Sequence, residues 1–201
     1  MISHIRKATQ GSAASRNCQP FIRELGGRWH SFAHNGNLKG IAEDRRFRSR
    51  TFLSVGDTDS ERAFCALMDT LRPLWSGEQV PPIGERKQIV TRFAAALHGL
   101  GPANFVYSDG DALFVHADRR TQSDGVIRAP GMWRLARRCP TGGDLSAEGL
   151  QIVSKGAGEQ EVCLFASVPL TSENWVPLGE GEILVTQQGW TRVSDVRQHV
   201  P

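Results

Sequence analysis

The sequence contains no C-x-x-C pair; its four cysteines, Cys18, Cys65, Cys139 and Cys163, are scattered through 201 residues. That spacing excludes a zinc knuckle and a disulfide framework. It reads as the reduced thiols of a cytoplasmic protein, with neither metal nor cofactor expected. No run of about 18 apolar residues occurs, which excludes a membrane-spanning helix. The opening Met1-Ile2-Ser3-His4-Ile5-Arg6-Lys7 lacks the apolar core of a secretion signal. Charge of one sign is scarce: 24 Lys and Arg against 21 Asp and Glu leave a net +3. The arginine groups Arg45, Arg46, Arg48, Arg50 and Arg134, Arg137, Arg138 offer phosphate contacts. Without an excess of positive charge or an aromatic platform they read as solvated surface, and no nucleic-acid partner is expected. There is also no G-x-G-x-x-G, no P-loop and no strand–helix alternation, which excludes a doubly wound nucleotide fold.

What is present fits one domain over 1–201, long enough to bury a core. Ile2 to Arg6 reads as a strand already under way, so part of the fold is expected to lie N-terminal to it. A polar loop follows over 7–20, where Pro20 pushes Gln19 toward an extended conformation. A strand is expected over 28–34. The segment Gly56-Asp57-Thr58-Asp59-Ser60-Glu61 is a helix start with three candidate N-caps. Its helix runs to about Trp75, with Phe64, Leu67, Met68, Leu71 and Leu74 on the core face. A second helix spans about Glu85 to Leu100. Strands are expected at 104–107 and 112–117, joined by the Asp109-Gly110 hairpin signal. Residues 118–149 read as irregular except for a short strand at 132–135. Strands at 151–154, 161–168, 182–186 and 190–193 end the chain. Two helices among antiparallel strands give an α+β layered fold.

Three motifs precede residue 62: His4 to Gly11, His34-Asn35-Gly36-Asn37, and Gly56 to Glu61. Asn-Gly after a strand is first a turn signal. An Asn amide and a Gly N–H side by side also outline an oxyanion hole. A pocket for an α-amino acid needs a guanidinium for its carboxylate and a carboxylate for its ammonium. Arg6 and Asp59 are residues of those types. Asp59 alone reads equally as a helix cap, and Arg6 alone as a surface ion-pair residue.

Spacing does not group these motifs; a resemblance does. His4 to Ala8 is similar to an H-I-R-x-A segment, Asn17 to Phe21 to N-x-x-P-F, Trp29 to Gly36 to W-x-x-A-H-N-G, and Gly56 to Cys65 to G-x-T-D-S-E-x-A-F-C. Together they resemble the class II glutamine amidotransferases, of N-terminal-nucleophile type, in their stand-alone bacterial branch. Ala166 to Thr171 with Trp175, and the Tyr107-Ser108-Asp109-Gly110 hairpin, also fit. The resemblance implies a four-layer αββα sandwich of antiparallel sheets, and L-glutamine as substrate. It implies that Arg6 holds the glutamine carboxylate and Asp59 its amino group. Asn35 and Gly36 would form the oxyanion hole, with Thr9 and Gln10 lining the pocket.

One departure stands out. The family's nucleophile is a cysteine at the mature N-terminus, and position 2 here is Ile2. The expectation is therefore an N-terminally truncated sequence that does not turn glutamine over. The rival expectation is a non-catalytic module that binds an amino acid or docks on a partner. An ammonia acceptor would be a separate enzyme, and exposed sheet would favour self-association.

Overall fold

The computed structural model of the chain describes residues 1–4, 14–77, 79–139, 144–147, 150–153, 160–187 and 190–192. In chain order the first strands are β1 (Phe21–Leu25), β2 (Arg28–Gly36), β3 (Ala103–Ser108), β4 (Ala112–His116), β5 (Arg120–Thr121), β6 (Ile127–Arg128) and β7 (Trp133–Cys139). Then come β8 (Asp144–Ala147), β9 (Leu150–Val153), β10 (Gln160–Ala166), β11 (Val176–Pro177), β12 (Ile183–Gln187) and β13 (Trp190–Arg192). The α-helices are α1 (Asp59–Leu71) and α2 (Ile83–His98), both between β2 and β3. Among the described residues no helix is long and apolar enough to cross a membrane.

The main sheet is six-stranded and antiparallel, in the order β1-β2-β3-β4-β12-β13. Period-two alternation gives it two different faces. Phe32, Phe105, Tyr107 and Phe114 point to one face and pack beneath Phe64, Leu67 and Met68 of α1 and Val90, Phe93 and Leu97 of α2. The Phe32 and Phe64 rings stack at 5.4 Å, which fixes α1 over β2. Val106, Leu113, Val115 and Leu184 point to the other face and pack with Phe165 of β10. That strand belongs to a three-stranded sheet, β10-β7-β11. The α+β class with antiparallel sheets is as the sequence implies. The described residues supply a helical layer, these two sheets and two small two-stranded ones, β5-β6 and β8-β9; a second helical layer is not among them.

Several boundaries differ from the sequence expectations. Residues 2–4 are irregular, and the rest of the expected first strand lies outside the described residues. β1 was not expected, although Gly26 (φ 62°) and Gly27 (φ 73°) form the left-handed turn that joins it to β2. α1 ends at Leu71, with Pro73 just beyond, and a turn carries the chain to Trp75. β7 extends to Cys139 because β10 pairs along its whole length. Of the arginine groups, Arg46 is tied to Asp44 at 2.6 Å and Arg137 to Glu173 at 3.2 Å.

The Asp109-Gly110 hairpin holds more than a turn. Asp109 Oδ1 accepts the Asp111 and Ala112 N–H groups, and Gly110 supplies φ 82°. Arg86 of α2 reaches down to this turn, donating to Asp109 at 2.7 Å and to Asp111 at 2.8 Å. Asp109 is fully buried and Arg86 is 2% exposed. Removing one partner of such a pair leaves a buried charge without compensation. Arg86→Ala is therefore expected to lower unfolding free energy by about 3–5 kcal/mol in denaturant titration. A loss below about 1 kcal/mol, the scale of an exposed ion pair, would contradict the role given to this pair.

Candidate functional site

The end of β2 is the first element of the site. Asn35 and Gly36 continue the strand, paired with Asn104 and Ala103 of β3, so the expected turn is absent. Gly36 is required by space rather than by φ. A Cβ there would stand 1.7 Å from the Pro102 carbonyl oxygen and 2.8 Å from His34 Nε2. On the β1 side, the Gln19 side chain takes the place of a strand neighbour. Gln19 Oε1 accepts the His34 N–H at 2.6 Å, and its amide donates to the His34 carbonyl at 3.1 Å. Strand alternation points the Gly36 N–H to the same side as that of His34, one pair beyond Gln19. The Asn35 side chain is exposed and has no hydrogen-bond partner among the described residues.

The N-terminus of α1 is the second element. Thr58 is its N-cap, accepting the Glu61 N–H at 3.2 Å. Buried Glu61 gathers the preceding loop, accepting the Val55 N–H at 3.1 Å, the Gly56 N–H at 2.7 Å, and a guanidinium N–H of Arg23. Asn17, also buried, accepts the Asp57 N–H at 3.0 Å. A Cβ on Gly56 would come within 2.2 Å of that same Asn17 oxygen. The second and fourth sequence motifs thus meet through Asn17 and Gly56.

Asp59 joins the two elements. Its Oδ2 accepts the Leu38 N–H at 2.8 Å, and its Oδ1 accepts the Ser60 N–H at 2.7 Å. Ser60 Oγ lies 2.9 Å from His34 Nδ1 and 3.2 Å from Asp59. The Pro102 carbonyl, 3.3 Å from His34 Nε2, can only accept, which assigns the ring proton to Nε2. Nδ1 then accepts from the Ser60 hydroxyl, whose single proton is shared with Asp59 Oδ1. Burial pushes the His34 imidazole below its ordinary value, against the pull of the Asp59 carboxylate. An open cleft of about 360 Å³ starts at this junction, lined in part by Asn37, Leu38, Asp57, Asp59 and Arg62.

Three of the expected site residues, Asn35, Gly36 and Asp59, are thus brought to one junction. Arg6, Thr9 and Gln10 lie outside the described residues. The sequence assigned no site role to Asn17, Gln19 or Asn104, and read Glu61 only as negative charge in the first turn of α1. Asn104 donates to the carbonyls of Asn35 and Arg119 and accepts the Asp118 N–H, which holds the β2–β3 strand ends together. The motif spacing could have flagged Asn17 and Glu61, since both sit inside the quoted segments; nothing local marks Asn104. Among the cysteines, Cys65 is buried beside Ser54 and burial pushes its thiol up. Cys18 is exposed, with its thiol toward the Ala14 carbonyl, and Cys163 lies on β10. Cys139 ends β7. Among the described residues, His98, Asp118 and Glu180 are grouped so that they could hold a metal, and none of them lines the cleft.

Comparison with known proteins agrees with this architecture. The family model for class II glutamine amidotransferases matches residues 1–200. A Methanocaldococcus jannaschii protein of uncharacterized function is 31% identical over 194 residues, covering 94% of this chain and 50% of its own length. A Haemophilus influenzae protein, named provisionally as a glutamine amidotransferase, is 31% identical over 191 residues, covering 94% of this chain and 60% of its own. A Pseudomonas aeruginosa crystal structure, described as a glutamine amidotransferase by prediction, superposes with a TM-score of 0.69 at 28% identity, covering 90% of this chain and 66% of its own. The chain belongs to the class II glutamine amidotransferase family. It spans half to two-thirds of the length of these relatives.

Two outcomes follow from the site's geometry. Gly36→Ala forces the Pro102 carbonyl away and is expected to cost about 1–3 kcal/mol in a denaturant melt; an unchanged midpoint would mean that the strand ends yield freely. His30, His34 and His116 are each held below the ordinary 6.5, in every case chiefly by burial. Below 6.5 the unfolded chain therefore binds more protons than the folded one. Stability is full above that value and falls as pH drops through it. Melts at a series of pH values read this slope, and constant stability from neutrality down to the carboxylate range would contradict it.

Proposed function

We propose that the β2 end, the α1 N-terminus and the cleft that opens beside Asp59 form the glutamine side of a class II amidotransferase site. Asp59 receives the α-ammonium. The Asn35 amide and the Gly36 N–H donate to the oxygen of the side-chain amide as it becomes an oxyanion. Arg6 holds the α-carboxylate, and Thr9 and Gln10 line the pocket. The observation that carries this reading is the bond from the Leu38 N–H to Asp59. It supports the reading because it ties a carboxylate, negative and at a helix N-terminus, to the chain two residues past Gly36. Each carboxylate oxygen that accepts a backbone N–H keeps a lone pair for a ligand. The chemistry is hydrolysis of the glutamine side-chain amide to glutamate and ammonia, in the cytoplasm. Ammonia would pass to an acceptor enzyme on another chain.

The step through a thioester needs a thiolate at the amide carbon. Neither Cys65, buried with its thiol raised, nor Cys163, on the second sheet, is suited to that role. Exposed Cys18 directs its thiol at a backbone carbonyl. These positions favour a second reading, in which the 201 residues bind an amino acid without turning it over.

A glutaminase assay on the 201-residue polypeptide is expected to show no turnover, and cysteine-dependent release of ammonia would overturn that. Binding is tested separately by calorimetry with glutamine. Asp59→Asn keeps an acceptor for the Leu38 N–H but removes the charge, so it should weaken binding by roughly ten- to a hundredfold, the scale of a charge-assisted hydrogen bond. Equal affinity in wild type and variant would remove Asp59 from the site.

A further inference from the structure

The residue trio at the C-terminal end of α2 stands apart from the amide chemistry. His98 is the last residue of α2. Its Nδ1 lies 2.9 Å from Asp118 Oδ1, and Asp118 is completely buried. The other oxygen of Asp118 accepts the Ala103 N–H at 2.9 Å. The carboxylate is thereby fixed, and it orients the imidazole as an acceptor of the Nδ1 proton. The opposite nitrogen, Nε2, faces outward toward Glu180 Oε1 at 4.0 Å. Glu180 sits on a tight turn that is itself anchored. Ala117 donates to the Glu182 carbonyl and Gly181 donates to the Ala117 carbonyl, at 2.9 and 2.8 Å, with Gly181 at φ 79°.

The 4.0 Å gap is too long for a hydrogen bond. It is just under the span of two zinc–ligand bonds of about 2.0–2.2 Å each. A small turn of the half-exposed Glu180 side chain shortens it to the separation of two tetrahedral ligands. A buried carboxylate bonded to one ring nitrogen, with the other nitrogen free for a cation, is the arrangement that orients histidine ligands in metal sites. The C-terminal end of a helix and two carboxylates also favour positive charge there.

We propose that His98 and Glu180 bind a divalent transition-metal ion, with zinc as the best fit, and that Asp118 is the positioning carboxylate behind His98. One nitrogen and one carboxylate oxygen suit zinc rather than magnesium or calcium, which prefer oxygen-only sites. Water completes the coordination. The ion ties the end of the helical layer to the turn between β11 and β12. Through Asp118 and Ala103 it also braces the strand that pairs with Gly36.

The test is a calorimetric titration of the full 201-residue chain with zinc, repeated with magnesium. Saturable binding of one zinc, weakened at least about tenfold in both His98→Gln and Glu180→Gln, supports the site, as does weakening of about ten- to a hundredfold in Asp118→Asn. Glu180 is half-exposed, so the circular dichroism of Glu180→Gln should match wild type and separate lost binding from lost folding. Cobalt substitution reads the ligands directly: bands of nitrogen and oxygen ligation support the site, and thiolate charge-transfer bands overturn it. Absence of saturable zinc binding, or equal affinity in the folded Glu180→Gln variant, likewise overturns it.

Discussion

The hydrogen bond from the Leu38 N–H to Asp59 is the constraint on which the site depends. A helix N-terminus has N–H groups to satisfy and favours negative charge. A strand end has N–H groups with no further ladder to join. One carboxylate serves both, and in doing so ties the α1 start to the chain two residues past Gly36. Thr58 caps the helix, which leaves Asp59 free to reach across. The division of labour between adjacent residues explains why a single Thr-Asp-Ser-Glu run holds a cap, a bridge, a histidine partner and an anchor for the preceding loop.

Around that bond several buried polar groups are met by partners. Glu61 is enclosed by two backbone N–H groups and Arg23. Asn104 spends its whole side chain on three backbone groups. Gly36, Gly56 and Gly131 each stand where a Cβ would strike a carbonyl or an Asn oxygen within 2.2 Å. The site is therefore rigid for a common reason: close backbone approach enforced by glycine, with side-chain amides filling in for missing ladder partners. Buried neutral histidines on the same sheet add an acid sensitivity to that rigidity.

The two helices and the antiparallel class were legible in the sequence; the grouping of Asn35, Gly36 and Asp59 came from the family resemblance. Helical spacing of Phe64, Leu67, Met68 and Leu71 is a local pattern, and the Asp109-Gly110 turn is a local signal. The turn that Asn35-Gly36 would signal in isolation does not form, because composition cannot distinguish a glycine needed for φ from one needed for space; the Pro102 carbonyl that decides it is 66 residues away in sequence. β1 was missed although Gly26-Gly27 announced it, since its Ile-Arg-Glu interior looks polar. The His98, Asp118 and Glu180 group has no sequence signature, as helix end, strand end and turn meet only in the folded chain. Arg6, Thr9 and Gln10 rest on the resemblance alone.

The most direct measurement is amide nuclear magnetic resonance of the chain as glutamine is added. If the account is right, the largest shifts fall on the N–H signals of Gly36, Leu38 and Ser60, together with the Asn35 side-chain amide. Shifts that are absent, or confined to residues away from the β2–α1 junction, would contradict it.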